Sequence, residues 1–250
     1  MNTKELIQKY NIKPNKVLGQ NFLINKGIVE KMVKTVEKTD IILEIGPGLG
    51  IITKELAKKT KKVIAIEKDI KMAEILENEL KEYKNIKIIK DDALKINFDY
   101  LKEYKIVANI PYYLTSPIIR KFLESKNPPK ELILLVQKEV AKRICSKPPE
   151  MSILSIAVQL YSIPKIISYV SKNSFWPAPK VDSAIIQIFN IIKPKINIES
   201  FFEIVRNGFS SPRKQLGNNL PKDLLLKAGI DSKRRAETLS VEEWKKLAEN

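Results

Sequence analysis

The chain has no histidine, a single cysteine, eight glycines and only six arginines among its 45 basic residues, and each shortage removes a chemistry. Without imidazole there is no Ser-His-Asp or Cys-His nucleophile, no histidine general base and no histidine-ligated metal. Cys145 alone can build neither an intramolecular disulfide nor a thiolate cluster, which suits a reducing compartment. No apolar run approaches the roughly 18 residues that span a bilayer. The opening MNTKELIQKYNIK carries lysines but not the apolar centre of a secretory signal. A soluble, cytoplasmic protein with no membrane attachment and no metal is expected.

Positive charge is what the chain has in excess: 45 Lys and Arg against 29 Asp and Glu, a formal +16. A polyanion is the natural partner, nucleic acid before anionic membrane, with an affinity that falls steeply with salt. Most of the cations are lysines, which also reflect compositional bias, so any single one reads first as solvated surface. A length of 250 residues suits one large domain with a small appendage.

From residue 41 to about 137, short β-branched runs alternate with longer amphipathic segments, the pattern of βα units around a parallel sheet. Strands are predicted at Ile41 to Ile45, Val63 to Glu67, Ile86 to Lys90, Ile106 to Asn109 and Leu132 to Gln137, with helices starting near Ile51, Lys71 and Ser116. Ile163 to Val170 and Val181 to Ile192 read as antiparallel strands that close the sheet. After Pro194 helical spacing takes over, through Phe201, Val205 and Phe209 to Trp244 and Leu247. The predicted fold is α/β: a Rossmann-like, mostly parallel sheet with an antiparallel closing strand in residues 1–192, and a small all-α domain in 193–250.

The strongest motif is Glu44-Ile45-Gly46-Pro47-Gly48-Leu49-Gly50, after a strand and before a helix. Alternate glycines let the backbone turn sharply and approach a ligand, so a cofactor belongs here, a dinucleotide or S-adenosylmethionine. The dinucleotide fingerprint started at Gly46 requires Gly or Ala where this chain has Ile51, and it fails. Glu67, at the end of the second strand, can accept from both ribose hydroxyls. Asp92, past the third strand, can accept from the adenine amine of the cofactor.

Asn109-Ile110-Pro111-Tyr112 ends the fourth strand, where an open α/β sheet presents its ligand crevice. These residue types suit methylation of a planar exocyclic amine. The Asn109 oxygen and the Ile110 carbonyl can accept the amine hydrogens and draw the nitrogen towards tetrahedral geometry. Pro111 stiffens the turn, and Tyr112 can stack on the base. The product nitrogen is acidic enough to lose its proton to water, so no strong base is needed. Phe175, in Phe175-Trp176-Pro177-Ala178-Pro179-Lys180-Val181, stands either against the other face of an extruded base or in the core. For the polymer, Lys138, Lys142 and Arg143 share a helical face. Arg213 and Lys214 follow Ser211-Pro212, read as the N-terminus of a helix, where they would form a phosphate site.

Together these residues resemble the ribosomal RNA adenine dimethylases over nearly the whole chain, and within them the KsgA/RsmA enzymes of small-subunit rRNA. Leu18-Gly19-Gln20-Asn21-Phe22-Leu23 is similar to the family's N-terminal cofactor cover, which implies that Asn21 and Leu23 touch S-adenosylmethionine. The donor and amine motifs are shared with the Erm methylases of large-subunit rRNA, whereas the segments Phe209 to Leu220 and Gly229 to Ser240 resemble KsgA. The resemblance implies dimethylation of the N6 amines of two adjacent adenosines in the 3′-terminal hairpin of 16S rRNA, by a monomer acting on a 30S precursor. Two alternatives stay open: an Erm-type 23S rRNA methyltransferase conferring macrolide resistance, and a non-catalytic assembly or transcription factor on the same fold. The intact Asn109 tetrad speaks against the second. Tyr113 and the short segment Cys145 to Ile153 depart from the family pattern.

Overall fold

The computed structural model describes residues 2–15 and 17–249. Its strands are β1 (Phe22–Leu23), β2 (Ile41–Ile45), β3 (Lys62–Glu67), β4 (Ile86–Lys90), β5 (Tyr104–Asn109), β6 (Glu131–Gln137), β7 (Ile163–Val170), β8 (Phe175–Trp176) and β9 (Ser183–Phe189). Seven of them form one sheet in the order β4-β3-β2-β5-β6-β9-β7, parallel from β4 to β6, with β9 antiparallel to β6. Central strands covered on both faces must be apolar throughout, and Ile42, Leu43, Ile106, Val107, Leu134 and Leu135 are all fully buried. The outer strands instead leave residues exposed, Lys87 and Lys90 on β4 and every second residue from Ile163 to Tyr169 on β7.

Helices Ile51–Lys59, Ile70–Glu79 and Thr115–Leu123 begin within a residue of their predicted starts. Their buried residues recur at helical spacing, as in Ile118, Ile119, Phe122 and Leu123. Asp69 caps the second by accepting from the Met72 N–H. Among the described residues no helix is long and apolar enough to cross a membrane.

The chain divides into two compact units. One runs to Ala141 and resumes at Lys165–Ile191; the other comprises Lys142–Pro164 and the chain from Ile192 onward. The helical unit therefore includes a segment that the sequence pattern grouped with the sheet. Within this unit the Met151 N–H donates to the Glu237 carbonyl at 2.9 Å, which ties the short 145–153 segment to the C-terminal region.

Helices Ile198–Gly208 and Val241–Ala248 pack through stacked Phe209 and Trp244, with ring centroids 5.7 Å apart. Ser211-Pro212 does not start a helix, contrary to the sequence reading. The Lys214 N–H closes a turn onto Ser211, while the Leu216 and Gly217 N–H groups donate to Arg234 and Ser232 carbonyls. Those long-range bonds consume the donors that a helix beginning at Pro212 would need.

Arg234 organises the far side of this unit. It pairs with Glu243 and donates to the Thr238 carbonyl at 2.6 Å, while Glu243 accepts the Ser240 N–H at 2.8 Å in a capping box. The Arg234 hydrogen bonds hold the Glu243 carboxyl down at about 2. Because this folded value lies below the unfolded one, the stabilisation is full above about pH 4.5 and is lost as pH falls towards 2. Glu243→Gln is expected to cost about 1 kcal/mol at pH 7, after discounting for the partly exposed pair, and to flatten the acid limb of a thermal-melt pH series.

Candidate active site

The sheet order reverses between β2 and β5, so the loops that leave these adjacent strands diverge and open a crevice at their carboxyl ends. The glycine loop leaves β2 and the Asn109 tetrad leaves β5. Topology alone thus brings together two motifs about sixty residues apart. The cleft between them has a volume of about 1090 Å³, its open mouth included. Asn21, Leu23, Gly46, Gly48, Glu67, Asp92, Asn109, Ile110, Pro111, Tyr112 and Phe175 all line it, every donor and amine residue that the sequence singled out.

Gly46, Gly48 and Gly50 have φ of +66°, +55° and +77°, a region that L side chains rarely adopt. A Cβ on Gly46 would meet only Pro111 Cδ, at 3.8 Å, so the bare backbone keeps the gap between loop and tetrad open. The buried Glu67 carboxylate braces the loop: Oε2 accepts the Gly48 N–H at 3.0 Å and Oε1 the Asp69 N–H at 2.9 Å. Burial raises its pKa, and the backbone donors oppose that shift. Asp92 accepts from the Leu94 N–H at 2.9 Å and from Lys68 Nζ at 3.0 Å, and these bonds lower its pKa. Each carboxylate keeps lone pairs for a ligand.

Glu44 lies outside the cleft lining. It is buried with neither oxygen in a formed hydrogen bond, and burial, opposed by the nearby Thr53 and reinforced by the Glu67 charge, pushes its pKa up to about 8.

Asn109 Nδ2 donates to the Asn21 carbonyl at 3.2 Å. That bond fixes the amide orientation and leaves Oδ1 as an acceptor. No described group donates to the Ile110 carbonyl. Tyr112 hydrogen-bonds Ser183 Oγ through its hydroxyl at 2.8 Å, and burial raises its pKa, so it stays a phenol. Phe175 lines the cleft and also belongs to the buried cluster that holds Leu23, Val170 and Ile185, the core position that the sequence left open for it. Its position is set by a small sheet that the sequence did not reveal, in which β1 pairs antiparallel with β8, Leu23 opposite Phe175. The Ile24 N–H donates to the Ser174 carbonyl at 2.9 Å beside it.

Gly19, Gln20, Lys68 and Tyr113 also line the cleft and were missed as site residues. Adjacency to Asn21, Glu67 and the tetrad was the only local signal for them. The polymer candidates lie elsewhere. Lys138, Lys142 and Arg143 stand on helix Lys138–Ile144, the last two exposed, and Arg213 and Lys214 sit exposed on the turn described above.

The residues present fit S-adenosylmethionine. Two carboxylates, Glu67 and Asp92, flank an uncharged backbone cradle, and Lys68 is engaged by Asp92. Such a set favours a cationic nucleoside over an anionic pyrophosphate.

Residues 11–250 match the sequence profile described as Ribosomal RNA adenine dimethylase. The chain belongs to the ribosomal RNA adenine dimethylase family. Among curated members, Ribosomal RNA small subunit methyltransferase A of Clostridium botulinum (strain Okra / Type B1) is 46% identical, across 100% of this chain and 98% of the relative. A solved structure of a dimethyladenosine transferase from Plasmodium falciparum superposes with a TM-score of 0.79 at 28% identity, covering 90% of this chain and 95% of that one. The 23S rRNA methyltransferase ErmE gives 0.76 at 24% identity, over 92% and 98% of the two chains, and shares the fold.

In this dimethylase, removing the Glu67 carboxylate takes away the acceptor of the Gly48 and Asp69 N–H groups that braces the glycine loop, charge-assisted hydrogen bonds worth about 1.5 to 3 kcal/mol each. Glu67→Ala is therefore expected to weaken S-adenosylmethionine binding by about 10- to 100-fold in calorimetry.

Proposed function

We propose that the protein transfers methyl groups from S-adenosylmethionine to the N6 amines of two adjacent adenosines in the 3′-terminal hairpin of 16S rRNA. It acts as a cytoplasmic monomer on a 30S precursor. The observation that carries this reading is the amide of Asn109. Its nitrogen is held by the Asn21 carbonyl, which leaves its oxygen as an acceptor for an amine entering the cleft that Ile110 also lines. Relatives named small subunit methyltransferase A, matched along their full length, favour the small-subunit substrate over the Erm-type one.

When bound, S-adenosylmethionine supplies a methyl group on a positively charged sulfur. Glu67 would hold its ribose, Asp92 its adenine amine, and Gly46 and Gly48 would let the backbone approach it, with Asn21 and Leu23 as the cover. The chain's remaining work is on the acceptor. Asn109 Oδ1 and the Ile110 carbonyl take the two amine hydrogens and oppose conjugation of the nitrogen lone pair with the purine ring. Tyr112, fixed by Ser183, offers a face for the base, and Phe175 borders the pocket. The proton released from the methylated nitrogen goes to water, as a site without histidine requires. Lys138, Lys142, Arg143, Arg213 and Lys214 would neutralise phosphates of the surrounding RNA.

Labelled donor should mark the 3′-terminal hairpin when the enzyme is incubated with undermethylated small subunits. Transfer confined to large-subunit RNA would replace this reading with the Erm-type one, and donor binding without transfer to any RNA would favour the non-catalytic factor.

A further inference from the structure

Strand β7 turns an unusual row of residues to solvent. Ile163, Lys165, Ile167 and Tyr169 alternate outward, with Ile163 49%, Ile167 41% and Tyr169 54% exposed, while neighbouring Val170 is buried. Lys138 Nζ lies 5.4 Å from the centre of the Tyr169 ring. This ring is connected to the cleft. The Lys138 N–H donates to the Asp182 carbonyl at 3.0 Å, and the next residue, Ser183, holds the Tyr112 hydroxyl at 2.8 Å. The Lys172 N–H donates to Asp182 Oδ1 at 3.0 Å, which brings a second lysine to the same corner, and exposed Val181 adjoins it. A polar path of three residues, Ser183, Asp182 and Lys138, therefore leads from the cleft to an exposed aromatic ring bordered by the Lys138 ammonium.

We infer that Tyr169, with Lys138 beside it, is a stacking platform for an unpaired nucleotide flanking the adenosine that enters the cleft. An extruded base leaves its neighbours unstacked, and an exposed ring outside the pocket compensates for that loss whatever the base. Lys138 at its border matches an adjacent phosphate, and the position is continuous with the site of transfer. A peptide partner would not need this cationic border. The inference rests on the RNA substrate proposed above.

Tyrosine and isoleucine also favour edge strands for reasons of packing alone, and lysine protects such edges from pairing. The test must therefore remove the ring while keeping the strand. Tyr169→Thr retains β-propensity, and Tyr169→Trp retains an aromatic face. Tyr169→Thr is expected to raise KM for undermethylated small subunits about tenfold, with kcat, S-adenosylmethionine affinity and melting temperature unchanged. Tyr169→Trp is expected to keep the wild-type KM, and its added indole fluorescence should be quenched by a single-stranded oligoribonucleotide of the hairpin loop. A wild-type KM for Tyr169→Thr would overturn the platform, as would equal losses in the Thr and Trp variants. If the unaltered enzyme transferred no methyl group to small subunits, the proposed function would fall. The platform would then be judged by oligoribonucleotide affinity alone: equal binding by Tyr169→Thr and the unaltered chain would overturn it, and weaker binding would sustain it.

Discussion

Asn109→Ala is expected to lower kcat by about 100- to 1000-fold, the scale seen when one pre-aligned hydrogen-bonding group is removed from a reacting centre. The loss should fall on kcat more than on KM for RNA, since the contact strengthens as the amine nitrogen pyramidalises and develops positive charge. Asn109→Asp separates two explanations. Aspartate keeps an acceptor oxygen but cannot donate to the Asn21 carbonyl, which the Asn109 amide engages at 3.2 Å. Two oxygens would then face each other, and the side chain would turn away. A loss in Asn109→Asp close to that in Asn109→Ala, measured in single-turnover transfer, is the expected result. Full activity in either variant would remove Asn109 from the mechanism.

The largest expected effect on stability comes from Gly50→Ala. Gly50 precedes helix Ile51–Lys59 with φ +77°, and a Cβ there would collide with Leu76 Cδ1 and stand 3.2 Å from Leu80 Cδ1. Both leucines are buried, so neither can swing into solvent. The left-handed backbone costs about 1 kcal/mol for alanine and overpacking a further 1 to 3 kcal/mol. For a chain of this size that lowers the melting temperature by about 5 to 15 °C. Gly46→Ala is the control within the same loop. It carries similar backbone strain at φ +66° but has only Pro111 Cδ nearby, at 3.8 Å. It should melt closer to the unaltered protein and instead weaken donor binding. Equal melting temperatures for the two variants would contradict the packing argument.

Most strands and the glycine loop were legible because their signals are local. Ile41 to Ile45 is apolar except at Glu44 because both faces of β2 are covered, and Gly46, Gly48 and Gly50 mark the positive φ of the loop that follows. The Ser211-Pro212 reading failed for the opposite reason. Helix-start chemistry was present, but the Leu216 and Gly217 N–H groups found partners at Arg234 and Ser232, 18 and 15 residues away. No local pattern shows that competition. The pairing of β1 with β8 was hidden in the same way, since a two-residue strand has no periodicity to read.

By itself the sequence determined which chemical groups were available: a bare glycine loop, two carboxylates after successive strands, an amide-proline-tyrosine turn, and no imidazole. Those follow from residue identity and from backbone preferences that act over a few residues. Tertiary structure decided how the groups are aimed. The Asn109 oxygen is left as an acceptor in the cleft because a carbonyl 88 residues earlier in the chain takes its nitrogen, and Phe175 borders the cleft only because β8 finds β1. Such pairings depend on which surfaces the sheet and its loops bury together, a free energy summed over the whole unit rather than stored in any one segment.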